Sequence, residues 1–63
     1  MRARELAATR KRLDLTQAAL AKALGVHPMT VSRYETGQDP IPVLVALAVE
    51  ALEYRARGTR KTA

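Results

Sequence analysis

The sequence contains no cysteine, tryptophan or phenylalanine, and its only aromatic residues are Tyr34 and Tyr54. The absence of cysteine excludes a disulfide framework and a cysteine-ligated metal site. A chain of 63 residues forms one small domain, and a domain of this size depends on close packing for its stability. The apolar residues, 48% of the chain, are mostly Ala, Leu and Val. Because Ala and Leu are strong helix formers, this composition favours an all-α fold.

A long apolar segment is also missing. The longest apolar run, residues 43–49, is far shorter than the roughly 18 residues that a membrane span requires. The charged residues 1–13 contain no apolar stretch like that of a signal peptide. We therefore expect a cytoplasmic protein without a membrane partner.

Acidic residues are few. Eleven Lys and Arg residues stand against six Asp and Glu residues, which gives a formal net charge of +5. On so short a chain this excess favours a polyanionic partner, with DNA or RNA as the first candidates. From charge alone, a basic protein that is merely soluble remains the alternative.

Apolar spacing and capping residues predict two helices in the N-terminal half. The first, residues 2–13, carries a helical stripe that includes Leu6 and, unusually, Arg10. The second begins after Thr16, a favourable N-cap residue. It ends at Gly25, because glycine suits the left-handed conformation that closes a helix.

The C-terminal half is predicted to contain two more helices. The third, residues 28–36, begins with a proline at its first position and is followed by Gly37. The fourth is predicted over residues 42–57, and ten of the twelve residues in 43–54 are apolar. The predicted domain therefore covers residues 1–57, and residues 58–63 are predicted to form a basic, disordered tail.

The joint between the second and third helices carries the functional motif. Two short helices meet there through a tight turn at Gly25 and Val26, and Ala21 is small where the helices must approach closely. This pattern is typical of a helix-turn-helix unit, whose second helix presents a polar face outward.

The same region resembles a known family. The stretch LTQAALAKALGV at 15–26, followed by TVSRYETG at 30–37, is similar to the lambda-repressor-like helix-turn-helix family, also called Cro-type or XRE-type. The resemblance covers about residues 2–52. It implies a compact all-α fold of four helices and sequence-specific binding of double-stranded DNA, with helix 28–36 in the major groove. It further implies a dimeric transcription regulator, more often a repressor, that is associated with the nucleoid when bound.

Three side chains on the outward face of helix 28–36 are candidates for contacting bases: Met29, Ser32 and Arg33. Arginine can bind guanine through two hydrogen bonds, serine can bond to several base edges, and an apolar side chain can contact the thymine methyl group. Pro28 stands where the family usually has a polar residue, so one common base contact is absent. The alternative is an ordinary solvated helix face.

Five polar residues near this face are candidates for phosphate or flanking contacts: Gln17, His27, Thr30, Thr36 and Gln38. Gln17 lies at a helix N-terminus, where backbone amides and the helix dipole favour an anion, and the resemblance implies that it bonds a phosphate. The alternative is an ordinary solvated glutamine. His27 is predicted either to cap helix 28–36 or to lie beside a phosphate.

Arg10 is expected to form a structural ion pair. It interrupts the apolar stripe of the first helix, and a buried guanidinium needs a carboxylate partner. Glu35 lies on the inward side of helix 28–36 and is the best candidate, and the family resemblance implies such a pair. Alternatively, Arg10 extends to solvent or to a DNA phosphate.

The sequence offers no catalytic or metal-binding constellation. The single histidine, His27, has neither a cysteine nor a second histidine as a co-ligand. It also lacks an accompanying nucleophile or paired acid. We therefore expect no enzyme, no metal, no cofactor and no small-molecule substrate.

The fourth helix has more apolar surface than one small core can cover. Its apolar residues form two stripes: Leu44, Leu47, Ala48 and Ala51 in one, and Val45, Val49 and Leu52 in the other. We expect a homodimer whose interface uses Val45, Val49 and Leu52. Two other interpretations remain open: an antitoxin or protein-partner subunit that uses the apolar helix 43–54, and a membrane-surface peptide.

Overall fold

The computed structural model describes residues 1–56 in full. For residues 57–62 it gives only their assignment to the last helix. Its elements in chain order are α1 (Ala3–Arg12), α2 (Gln17–Leu24), α3 (Pro28–Thr36) and α4 (Val43–Thr62). No strand occurs among the described residues, which confirms the predicted all-α fold. The side chains of residues 57–63 lie outside the described residues, and with them the predicted domain limit at residue 57 and the predicted tail at 58–63.

Local capping interactions define the limits of α2. The Thr16 hydroxyl accepts a hydrogen bond of 3.0 Å from the backbone N–H of Ala19, which pairs one of the amides that a helix N-terminus leaves free. Gly25 ends the helix with a φ of 74°, a left-handed conformation that costs glycine little. Both capping residues were predicted from the sequence, and both are confirmed.

The turn between α1 and α2 contains the only described non-glycine residue with a positive φ. Asp14 has a φ of 59°, and its short polar side chain makes this conformation more accessible than it is for most residues. The backbone N–H of Leu15 donates to the Arg10 carbonyl at 3.2 Å. The chain therefore leaves α1 in a tight turn and enters α2 within a few residues.

Side chains from all four helices form one core. The fully buried apolar residues are Leu6 from α1, Leu20 and Ala21 from α2, Val31 from α3 and Val49 from α4, with Tyr34 nearly as deep. Each large apolar side chain removed from water contributes about 1.5–3 kcal/mol. Thr9 is also buried, and its hydroxyl accepts a 3.0 Å hydrogen bond from Arg12.

The two apolar stripes of α4 have different environments. Val49 is fully buried, and Val45 and Leu52 pack partly buried against the same core. Val49 therefore has no surface left for a second chain, which corrects its predicted role in a dimer interface. The exposed apolar surface lies on the opposite stripe, where Leu44 is 79% and Leu47 54% exposed.

No helix among the described residues is long and apolar enough to span a lipid bilayer.

Candidate nucleic-acid interface

The motif that presents α3 is the tight connection from α2. After Gly25, the backbone N–H of Val26 donates to the Ala21 carbonyl at 3.0 Å, so the chain reverses immediately after α2 ends. Leu20 and Ala21 then pack in the same buried cluster as Val31. Because this contact fixes the inner side of α3, its opposite side remains directed away from the core.

The three predicted base-contacting residues lie along α3. Met29 is 56% exposed, Arg33 is exposed and Ser32 is half-buried. The Arg33 side chain makes no hydrogen bond or ion pair within residues 1–56. An exposed methionine and a guanidinium one helical turn apart give this face both an apolar contact and a bidentate donor.

The flanking residues differ in how free their polar groups are. Thr30 is half-buried, whereas Thr36 and Gln38 are exposed. The Thr36 hydroxyl donates to the Arg33 carbonyl of its own helix at 3.3 Å, so it can donate to a phosphate only after leaving that bond. Gln38 follows the left-handed Gly37, which has a φ of 80°.

His27 is the N-cap of α3. Its Nδ1 atom accepts a hydrogen bond of 3.1 Å from the backbone N–H of Met29, and Pro28 follows at the first helical position, as the sequence predicts. An accepting Nδ1 carries no proton, so the neutral ring carries its proton on Nε2. The exposed ring therefore stabilises the start of α3 and retains one N–H donor for a partner.

A hydrogen-bond network connects the start of α2 with the end of α3. Arg10 donates to Glu35 from Nε at 2.6 Å and from Nη2 at 3.2 Å. Its Nη1 donates to the Leu15 carbonyl at 2.8 Å. The Gln17 amide nitrogen donates to Glu35 Oε1 at 3.0 Å. Side-chain exposures of 14% for Arg10 and 8% for Glu35 make this a largely buried pair, which ties α1, the turn before α2, and α3 together.

The charge state of Glu35 follows from these contacts. Burial is the largest single influence and raises the pKa of Glu35. The hydrogen bonds from Arg10 and Gln17, together with the positive charges of Arg10 and Lys11, outweigh it. The pKa of this carboxyl consequently lies below its usual value, and Glu35 is ionised at neutral pH.

A second ion pair was not predicted from the sequence. Arg12 donates to Glu53 Oε2 from Nη2 at 2.6 Å and from Nε at 3.2 Å, joining α1 to α4. The only available signal was the opposite charge of Arg12, and no sequence spacing relates residues 41 positions apart.

No group of three or more His, Cys, Asp or Glu side chains within the described residues is arranged to hold a metal ion. The outward face of α3 and the capping His27 carry exposed side chains that can form hydrogen bonds with a partner.

An all-α chain with two short helices joined by this turn defines a helix-turn-helix protein, a class that binds DNA. The family model described as "Helix-turn-helix domain" matches residues 3–58, and the chain belongs to that family. This is consistent with the lambda-repressor-like resemblance of its sequence. No curated protein and no solved structure gives a significant match.

Proposed function

We propose that this protein binds double-stranded DNA with α3 in the major groove and thereby regulates transcription, most simply as a repressor that occludes a site. The observation that carries the proposal is the outward face of α3, where exposed Met29 and Arg33, which is unpaired within residues 1–56, lie beside Ser32. A major groove admits one α-helix. The formal net charge of +5 would attract the phosphate backbone whatever the sequence.

The proposed contacts fall into two groups with different consequences. Met29, Ser32 and Arg33 would read base edges, whereas Gln17 and the His27 ring would hold phosphates. Phosphate contacts set the position of a protein on the duplex, and base contacts carry the sequence information. Thr30, Thr36 and Gln38 are proposed to flank the phosphate contacts.

The test separates these two groups after selection of the preferred site from a random duplex pool. Arg33→Ala should weaken binding to the selected site by about 1–3 kcal/mol and relax the preference at one base pair. Gln17→Ala should weaken binding to selected and scrambled duplexes about equally. Arg4→Ala removes the same charge from an exposed position on α1 and controls for electrostatics. If Arg33→Ala and Arg4→Ala act alike on both duplexes, Arg33 does not read a base.

We also propose that the protein acts as a homodimer joined through the exposed side of α4. The supporting observation is a seam of Leu44, Leu47, Ala51 and Tyr54, all exposed. Successive spacings of three, four and three residues are those of a coiled-coil contact, in which a helix packs against a copy of itself. A monomer would leave these side chains in water, and such patches usually mark interfaces.

A two-fold dimer would place two copies of α3 about 34 Å apart, one turn of B-form DNA, and would require a nearly palindromic site. Sedimentation of the wild type and of Leu47→Glu tests this seam. The wild type should be dimeric at tens of micromolar, and Leu47→Glu should be a folded monomer. Val49→Glu is the matched core variant and should unfold. A monomeric wild type without DNA would refute the homodimer and leave the seam to a partner of another kind.

A further inference from the structure

We infer that Glu35 is a positioning residue for DNA binding, because it holds the amide of Gln17 in the orientation that offers an N–H group to a phosphate. This inference rests on the proposed function. Glu35 is 8% exposed in its side chain and negatively charged, so it is not itself suited to contact DNA. Its effect on binding would be transmitted through Gln17.

The contact between Glu35 and Gln17 determines which end of the Gln17 amide faces the carboxylate. A carboxylate has acceptors only, so the group facing Glu35 Oε1 at 3.0 Å has to be the amide nitrogen of Gln17 rather than its oxygen. The amide nitrogen has two hydrogens, and Glu35 binds one of them. The second is the only donor that remains in the Gln17 side chain.

Arg10 fixes the position of Glu35. Arg10 binds both carboxylate oxygens and also donates to the carbonyl of Leu15, two residues before Gln17. The acceptor and the start of α2 are therefore held by the same guanidinium. A glutamine side chain that is already ordered loses less conformational freedom when it binds a phosphate.

Electrostatics alone predicts the opposite effect of removing the Glu35 charge. Glu35→Gln removes a negative charge near the proposed interface, so charge alone predicts tighter DNA binding in every background. Positioning predicts weaker binding, and only while Gln17 is present. A glutamine at this site carries both donors and acceptors, so it no longer determines which end of the Gln17 amide faces it.

The experiment is a double-mutant cycle on a phosphate-dependent probe, a mixed-sequence DNA duplex of about two helical turns at low salt. Affinities of the wild type, Glu35→Gln, Gln17→Ala and the double variant are measured by fluorescence anisotropy at a temperature where circular dichroism shows all four to be folded. We expect Glu35→Gln to weaken binding about three- to tenfold when Gln17 is present, and to leave it unchanged or tighter in the Gln17→Ala background.

Glu53→Gln is the matched control. It removes the same charge from the other ion pair, which joins α1 to α4 and makes no contact with Gln17, so its effect should be equal in both backgrounds. If Glu35→Gln does not fold, Glu35→Asp keeps the charge for Arg10 but withdraws the carboxylate by one methylene group. We then expect Glu35→Asp to weaken DNA binding when Gln17 is present, but not in the Gln17→Ala background.

A second measurement follows Gln17 directly. In the free wild-type protein, the side-chain NH₂ signals of Gln17 in an ¹⁵N–¹H spectrum should show one hydrogen-bonded proton, and both should shift in Glu35→Gln. Unchanged Gln17 signals, or an equal effect of Glu35→Gln on DNA affinity in both backgrounds, would overturn the positioning role alone. A wild type that does not bind the duplex at all would overturn the proposed function and this inference with it.

Discussion

Two ion pairs start from α1, and both have an N–O distance of 2.6 Å. The pair between Arg10 and Glu35 is largely buried, with side-chain exposures of 14% and 8%, whereas Arg12 and Glu53 are exposed by 61% and 23%. The N–O distance alone therefore does not show which ion pair contributes more to stability. Breaking a buried pair strands a charge away from water, whereas an exposed charge is readily solvated. We expect the pair between Arg10 and Glu35 to contribute much more to the free energy of unfolding than the pair between Arg12 and Glu53.

The largest effect is expected from breaking the buried pair on one side. Glu35→Ala leaves the Arg10 guanidinium buried without a counter-charge and should lower the free energy of unfolding by up to about 3–5 kcal/mol. A chain of this length has only about 3–9 kcal/mol in total. Urea and thermal unfolding followed by circular dichroism measure the loss.

The matched variant replaces both partners. Arg10→Met combined with Glu35→Leu leaves no charge behind, so it should be more stable than Glu35→Ala alone. Equal melting temperatures for the wild type and Glu35→Ala would contradict the structural importance of this pair.

A pH-dependent effect of the same pair is expected in acid. Because the pKa of Glu35 is lowered in the folded protein, its ionised form stabilises the fold above the usual carboxyl pKa of 4.5. This stabilisation is lost as the pH falls below that value and through the lowered pKa of the folded state.

The control for this prediction is Glu35→Gln, which has no carboxyl at this position. The difference in free energy of unfolding between the wild type and Glu35→Gln should be constant above pH 4.5 and should shrink below it. A difference that stays constant down to the lowest measurable pH would show that Glu35 contributes nothing to the acid sensitivity.

The smallest effect is expected at the exposed pair. Glu53→Gln should lower the free energy of unfolding by at most about 1 kcal/mol, and less at high salt, because screening weakens exposed ion pairs. The measurement is the midpoint of urea unfolding at low and high salt. A loss of stability as large as that of Glu35→Ala would mean that burial does not explain the difference between the two ion pairs.

Sequence reasoning predicted the parts of this fold that local chemistry determines. Thr16 and Gly25 define α2 because their capping roles depend only on neighbouring residues. The candidate partner for Arg10 could be predicted as well, because a buried arginine in an apolar stripe needs a carboxylate on a facing helix. The structure brings Arg10 and Glu35 together.

Features that depend on how helices approach one another were not predictable in this way. Both stripes of α4 are apolar, and the sequence does not determine that Val49 faces the core while Leu47 faces outward. The bond from Gln17 to Glu35 was missed for the same reason, since it depends on the start of α2 lying beside the end of α3. The burial of Thr9 was not predicted either, because it depends on the packing of α1 against the other helices.

The most direct test of the central claim is an anisotropy titration of the wild type with a mixed-sequence DNA duplex between about 50 and 200 mM salt. If the protein binds DNA through Lys and Arg contacts to phosphates, the logarithm of the association constant should fall linearly with the logarithm of the salt concentration. The slope should be about −0.9 for each phosphate neutralised. Absence of binding at the lowest salt, or an affinity that does not change across the series, would contradict the account.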